Sequence, residues 1–350
     1  MGKGNRMKNM HGGDIYRNQV EIDFSININP LGMPGAVEKT LHNAVAECCQ
    51  YPDIKAERLR ETLGYMLGIP GEWILPGNGA SELFMAIMHG VRPKKTVIPI
   101  PSFYGYEYAA KAVESEIIYY QTEAENGFTY GEDFFGVLTE EVELLILANP
   151  NNPTGNLLKK EYLQRLLQHC KEKEILVVLD ECFLEFCEND WSIMGEQAEL
   201  DHVLIVRAFT KIFAIPGVRL GYLVCRNREF LEKIEHQLPE WNVSCLAQAA
   251  GCACALQGEY VKKTKFYIKK ERVRLERGLT ELGIRVFPGT ANFILLYSSQ
   301  PLYEKLLKKG ILIRDCENFR GLSKGFYRIG VKTENENQVL LEAIRELMGE

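Results

Sequence analysis

From residue 55 onward, helix-like patterns alternate with short apolar runs. "KAERLRETLGYMLG" has helical spacing, and "GNGASELFMAIMHGV" reads as a Gly-rich turn running into a helix. "GYEYAAKAVES" and "KKEYLQRLLQHCKEKE" follow as helices. Between them lie "KTVIPI", "EIIYYQT", "VELLILANP", "ILVVLDE", "HVLIVRAF" and "RLGYLVC". These runs are short, apolar and rich in β-branched residues, as strands are when both faces of a sheet are covered. The pattern predicts an α/β domain around a mostly parallel sheet.

After Pro239 the pattern changes. A long charged helix, about 259 to 282, leads to the strand "ANFILLYS". A helix, the strands "ILIRDC" and "FYRIGV", and a final helix "ENQVLLEAIRELM" complete the chain. Pairing strands with segregated helices predict a smaller α+β domain. The first residues, up to about 45, show no strand of their own and are expected to pack near it. The 350 residues thus divide into an arm with part of the small domain (1–45), a large domain (46–240) and a small C-terminal domain (241–350).

Composition narrows the function. Hydrophobic residues are 46%, charged residues 25%, and the net charge is −6, the mix of a soluble globular protein without a nucleic-acid surface. "KKTKFYIKKERVRLERG" interleaves acids among its bases and reads as a solvated helix face. The basic N-terminal stretch is not followed by an apolar signal region, and no apolar run is long enough to cross a bilayer, so a cytoplasmic location is expected. The ten cysteines are scattered, with no CxxC pair, and are expected to be buried free thiols rather than a metal site.

Four features fall at strand ends or loops, where an α/β sheet carries its chemistry. Gly77, Asn78 and Gly79 precede a helix and form either a plain turn or an anion site built from free N–H groups. "ANPNNPTG" (148–155) is a rigid, amide-rich loop after an apolar strand, and a structural turn is the other reading. Asp180 closes a buried strand, either in a salt bridge or in catalysis. Lys211 lies on a turn between apolar strands, with Arg219 eight residues on. A lone lysine is surface charge in most settings, but one held there can become a nucleophile. An amine, a carboxylate, an amide loop and an anion cradle are together the parts that hold pyridoxal 5′-phosphate (PLP).

The order and text of these motifs resemble the fold-type-I PLP enzymes of the class I/II aminotransferase superfamily, from His11 to the last helix. The resemblance implies a large PLP-binding domain with a mostly parallel seven-stranded sheet, and a small α+β domain. It implies that Lys211 carries the cofactor and that Asp180 pairs with the pyridine nitrogen. Asn152 would bind the ring's 3-oxygen and Phe103 would stack on the ring. Gly77, Asn78 and Arg219 would bind the phosphate. Tyr51 would reach the phosphate of a neighbouring subunit, implying a homodimer with active sites at the interface. There are two departures. Ala208 stands where relatives carry Ser or Thr, with Thr210 as a partial substitute, and Phe183 stands where many have Tyr.

Within the superfamily, "HGGD", "DFSININPLG" and "FRGLSKGFYRIGVKT" resemble the threonine-phosphate decarboxylase family of cobalamin biosynthesis. Its reaction takes L-threonine O-3-phosphate to (R)-1-aminopropan-2-yl phosphate and CO₂. The resemblance implies that His11, Gly12, Asn27, Asn152, Arg314 and Arg328 bind a small phosphorylated amino acid. Gly12 and Gly13 would let the arm swing His11 over bound substrate. Histidinol-phosphate aminotransferases share the core motifs. A decarboxylase of L-serine O-phosphate would need nearly the same residues, and a non-catalytic protein on the same fold is a further alternative.

Overall fold

The computed structural model describes residues 11–194 and 201–349. Residues 1–10 of the expected arm lie outside the described residues. The arm carries a two-residue strand, β1 (Ile22–Asp23), contrary to the sequence expectation. The large sheet is built from β2 (Ile74–Gly77), β3 (Lys95–Ile100), β4 (Glu116–Gln121), β5 (Leu144–Ala148), β6 (Leu176–Asp180), β7 (Val203–Ala208) and β8 (Gly221–Val224). Its order is β2-β8-β7-β6-β5-β3-β4. Neighbours from β4 to β7 run parallel, and β8 is antiparallel to both β7 and β2.

β5, β6 and β7 are buried along their whole length, which is why their sequences are continuous apolar runs rather than alternating ones. Strand β2 escaped the apolar pattern because Pro76 and Gly77 make up half of it. Proline is tolerated there because β2 is an edge strand. Register aligns the carboxyl ends of the central strands. Ala148 pairs with Asp180, and Asp180 with Val206. The next residues of each chain therefore emerge side by side at one edge.

The second sheet joins β9 (Arg285–Val286), β10 (Phe293–Tyr297), β12 (Arg314–Asp315) and β13 (Phe326–Gly330) in the antiparallel order β12-β13-β10-β9. The expected single strand "ILIRDC" is split. Its first half, β11 (Ile311–Leu312), pairs in parallel with β1, and its second half joins β13. The Phe24 N–H donates to the Leu312 carbonyl and the Gly330 N–H donates to the Phe24 carbonyl (2.7 and 2.8 Å). The arm is thereby fastened between β11 and the end of β13. One continuous hydrophobic core runs under both sheets, with a small satellite of Phe128, Phe287, Leu295, Cys316 and Phe319.

The charged helix spans Gly258–Glu281. Its basic face is not wholly solvated. Arg272 is buried and donates to the Ala291 carbonyl (2.8 Å), and the buried Glu271 accepts from Arg274 (3.1 Å). All ten cysteines are free, but Cys48 and Cys49 are exposed rather than buried. Among the described residues there is no group of side chains that could hold a metal ion, and no helix long and apolar enough to cross a membrane.

Candidate active site

A cavity of about 340 Å³ opens where β5, β6 and β7 end. It is lined from the large sheet by Asn152, Asp180 and Lys211, and from the small sheet by Arg314 and Arg328. His11 and Asn27 close it from the arm.

Asp180 is the last residue of β6, and the next residue settles what it can pair with. Glu181 accepts two bonds from Arg207 (3.0 and 2.8 Å), so the nearby cation belongs to Glu181. The Asp180 carboxylate instead accepts from the Tyr106 hydroxyl (2.5 Å) and the Cys182 N–H (2.8 Å). Burial raises its pKa despite those two bonds. Tyr106 was not among the residues singled out by sequence. Its signal is helical spacing, since it lies three residues after Phe103 and meets that ring edge-on at 5.5 Å.

Lys211 sits on the turn between β7 and β8, one turn of helix, Phe209–Ile212. The arm grips this turn, with the Asn29 N–H on the Lys211 carbonyl (3.1 Å) and the Asn29 Nδ2 on the Ile212 carbonyl (2.7 Å). Burial, followed by the positive charges of Arg328 and Arg219, brings the Lys211 ammonium down to about 8. Thr210 and Ala208 flank it in the cavity wall.

The anion end differs from the sequence reading. Gly77 and Asn78 do not line the cavity; Ala80 and Ser81 do, in the first turn of the helix Ala80–Val91. Asn78 is exposed, and its N–H is taken by the Glu82 carboxylate (2.6 Å). An acid four residues on was the missed signal. Arg219 faces this turn, and a Cβ on Gly79 would come within 2.5 Å of its guanidinium. Arg219 can move its guanidinium aside, but Gly79 has φ +89°, and that backbone conformation calls for glycine. Tyr51 lies outside the cavity, 82% exposed, with its ring 4.8 Å from that of Trp241.

At the opposite end, Arg328 donates to Asn152 Oδ1 (2.5 Å) and to the Ser25 carbonyl (2.8 Å). Arg314 donates to Asn318 Oδ1 (2.7 Å) and lies over Phe319. The His11 ring is 5.8 Å from Phe103. Burial, then Arg314, Arg328 and Lys211, lower its pKa, so the ring is neutral near pH 7. The arm is held rather than loose. Gly13 N–H donates to Ser25 Oγ (2.7 Å), and a Cβ on Gly12 would meet the Ser25 carbonyl at 2.3 Å.

These residues fit PLP. A buried acid with no Lys or Arg in salt-bridge reach among the described residues suits a protonated pyridine nitrogen. A desolvated amine suits an aldehyde, and a helix N-terminus with Arg219 suits a phosphate. Asn27 Oδ1 and Arg328 Nε are buried without partners among the described residues, and both residues line the cavity. Ala208 and Phe183 line the same cavity without offering a hydroxyl, and this donor set does not depend on them.

A family model for aminotransferases of class I and II matches residues 19–344. A protein of Caldanaerobacter subterraneus subsp. tengcongensis, provisionally named a threonine-phosphate decarboxylase, is 39% identical and covers 100% of this chain and 97% of its own. The threonine-phosphate decarboxylase of Salmonella typhimurium is 33% identical over 93% of this chain and 91% of its own. The crystal structure of the histidinol-phosphate aminotransferase from Clostridium acetobutylicum superposes with a TM-score of 0.88 at 32% identity, over 94% of this chain and 99% of that one. A model match along most of the chain, joined to relatives this similar over nearly its full length, places the chain in the class I and II aminotransferase family, as a PLP-dependent enzyme.

Proposed function

We propose that the chain decarboxylates L-threonine O-3-phosphate to (R)-1-aminopropan-2-yl phosphate and CO₂, in cobalamin biosynthesis. The observation that carries this reading is the crowding of Arg314, Arg328 and His11 around one cavity, opposite Lys211. Such a substrate brings a carboxylate and a phosphate, and two guanidiniums match two anionic groups. The similarity to two proteins named threonine-phosphate decarboxylase supports it.

The roles divide among these residues. Lys211 would hold the cofactor and Asp180 would favour the protonated form of its ring nitrogen. Asn152 and Phe103 would bind the ring. Ser81, Arg219 and Thr210 receive the phosphate, while Gly77 and Asn78 shape the turn leading to them. His11, Gly12, Asn27, Asn152, Arg314 and Arg328 hold the substrate. The bound cofactor supplies an electron sink for the pair left on the α-carbon. Lys211, the buried amine of the cavity, is the group placed to pass a proton to the substrate there. Tyr51 reaches a second copy of the chain, and the working unit is a homodimer.

A second reading is a histidinol-phosphate aminotransferase, favoured by the superposition on that enzyme. A decarboxylase of L-serine O-phosphate differs in its substrate by one methyl, worth about 1–3 kcal/mol of discrimination. Incubating the PLP-loaded protein with each of the three substrates, with and without 2-oxoglutarate, separates these readings. CO₂ from the threonine derivative without 2-oxoglutarate supports the first. Glutamate formed from histidinol phosphate overturns it.

A further inference from the structure

Residues 316–322, within the connection from β12 to β13, carry the groups that seat Arg314. Asn318 Oδ1 accepts from the Arg314 guanidinium (2.7 Å), and the Phe319 ring lies 5.1 Å beneath it. The same segment reaches across to the large-sheet side through Arg320. Arg320 Nε and an Arg320 terminal nitrogen each donate to a different oxygen of Glu107 (both 3.1 Å). Glu107 stands on the helix Tyr104–Ala112, one turn after Phe103 and Tyr104 of the cavity wall. The Arg320 guanidinium also covers the Tyr119 ring at 4.3 Å, and Gln121 Nε2 donates to the Gly321 carbonyl (3.3 Å).

This ion pair differs from the others on the surface. It combines a bidentate bond with a largely buried acid, since the Glu107 side chain is only 12% exposed and also accepts from Lys111 (2.5 Å). Burial opposes ionisation of Glu107, yet the bonds from Arg320 and Lys111 hold its carboxyl at about 2. The pair borders a cleft of about 330 Å³ that adjoins the main cavity and shares Phe103, Tyr104, Arg314 and Phe319 with it. The clamp therefore joins the segment seating Arg314 to the helix that follows Phe103.

We propose that Arg320 and Glu107 form a latch that fixes residues 316–322 against the helix Tyr104–Ala112 and so sets where Arg314 meets the substrate's anionic group. They are positioning residues, acting through Arg314 and Asn318. The inference rests on the reading that Arg314 binds substrate.

The test uses the PLP-loaded enzyme and compares wild type, Arg320→Met, Glu107→Gln and the double variant. The substrate is L-threonine O-3-phosphate, or histidinol phosphate with 2-oxoglutarate if the wild type turns over only that. Absence of CO₂ from the first substrate in the wild type counts against the functional reading alone. For the latch, each single variant raises KM about two- to fivefold, as expected for one well-formed surface pair, with a smaller change in kcat. The double variant is no worse than the more severe single one, because the two residues act through one contact. Cofactor absorbance and Tm stay at wild-type values. KM unchanged in both single variants, or effects that multiply in the double, overturns the latch. A lower Tm with unchanged KM also overturns it, since the pair is then a strut.

Discussion

Arg314 and Arg328 face each other directly across the β12–β13 antiparallel pair. Like charges opposed on neighbouring strands repel, and both lie buried. Burial first, then Arg314, brings Arg328 down to about 10. The fold tolerates this arrangement without a carboxylate in salt-bridge reach of Arg328 among the described residues, relying on Asn152 and the Ser25 carbonyl instead.

A substrate anion would relieve this repulsion. Arg314→Met is therefore expected to leave Tm unchanged or raise it, while KM for the phosphorylated substrate rises at least tenfold, by about 1.4 kcal/mol or more. Thermal unfolding beside steady-state kinetics reads both. A fall in Tm with KM unchanged would assign Arg314 a structural role.

Lys211 makes a pH prediction. Its folded pKa, about 8, lies below the ordinary value of 10.5, so between these the unfolded chain binds more protons and stability rises with pH. The penalty is complete below pH 8 and gone above about 10.5. In the cofactor-free protein, Lys211→Met should be more stable than wild type at pH 7, by up to about 3 kcal/mol, with the gap closing as pH rises. Urea titration across pH measures it. The same variant should bind PLP without the covalent attachment that borohydride traps.

His11 is neutral in the free protein because burial and three cations oppose its charge. A dianionic phosphate placed among those cations reverses the balance, so substrate binding should draw a proton onto the ring. Calorimetry at pH 7 in buffers of different ionisation enthalpy should show net proton uptake, abolished in His11→Gln. Gly12→Ala tests the arm itself. Its new Cβ would strike the Ser25 carbonyl, so the arm should leave its seat, cleavage near residue 12 should quicken and KM should rise.

Ala208 lines the cavity beside Thr210 and carries no hydroxyl. Ala208→Ser should tighten PLP by roughly one hydrogen bond, about 1 kcal/mol or fivefold in Kd. Equilibrium titration of the cofactor-free protein, followed by absorbance, gives the value. No change would mean that Thr210 already fills the place.

Which features the sequence disclosed follows from their range. β5, β6 and β7 were legible because full burial keeps them apolar except for Asp180 and Arg207, which fall at the carboxyl ends of β6 and β7. Arg314 and Arg328 were named through the family resemblance, and the structure sets them opposite each other on β12 and β13. Strand β2 was hidden by Pro76 and Gly77, whose tolerance depends on an edge position that only the assembled sheet defines. The capture of the Asn78 N–H by Glu82 was local but competes with the anion-site reading of the same glycines. The seat of the arm on Ser25, and the claim of Glu181 on Arg207, are long-range contacts with no periodic signature.

The most direct test of the proposed reaction is release of label from carboxyl-labelled L-threonine O-3-phosphate by the PLP-loaded enzyme, with no oxo acid present. One CO₂ per 1-aminopropan-2-yl phosphate formed, lost in Lys211→Met, is the predicted result. Retention of the label, with the enzyme instead making glutamate from histidinol phosphate only when 2-oxoglutarate is present, would contradict it.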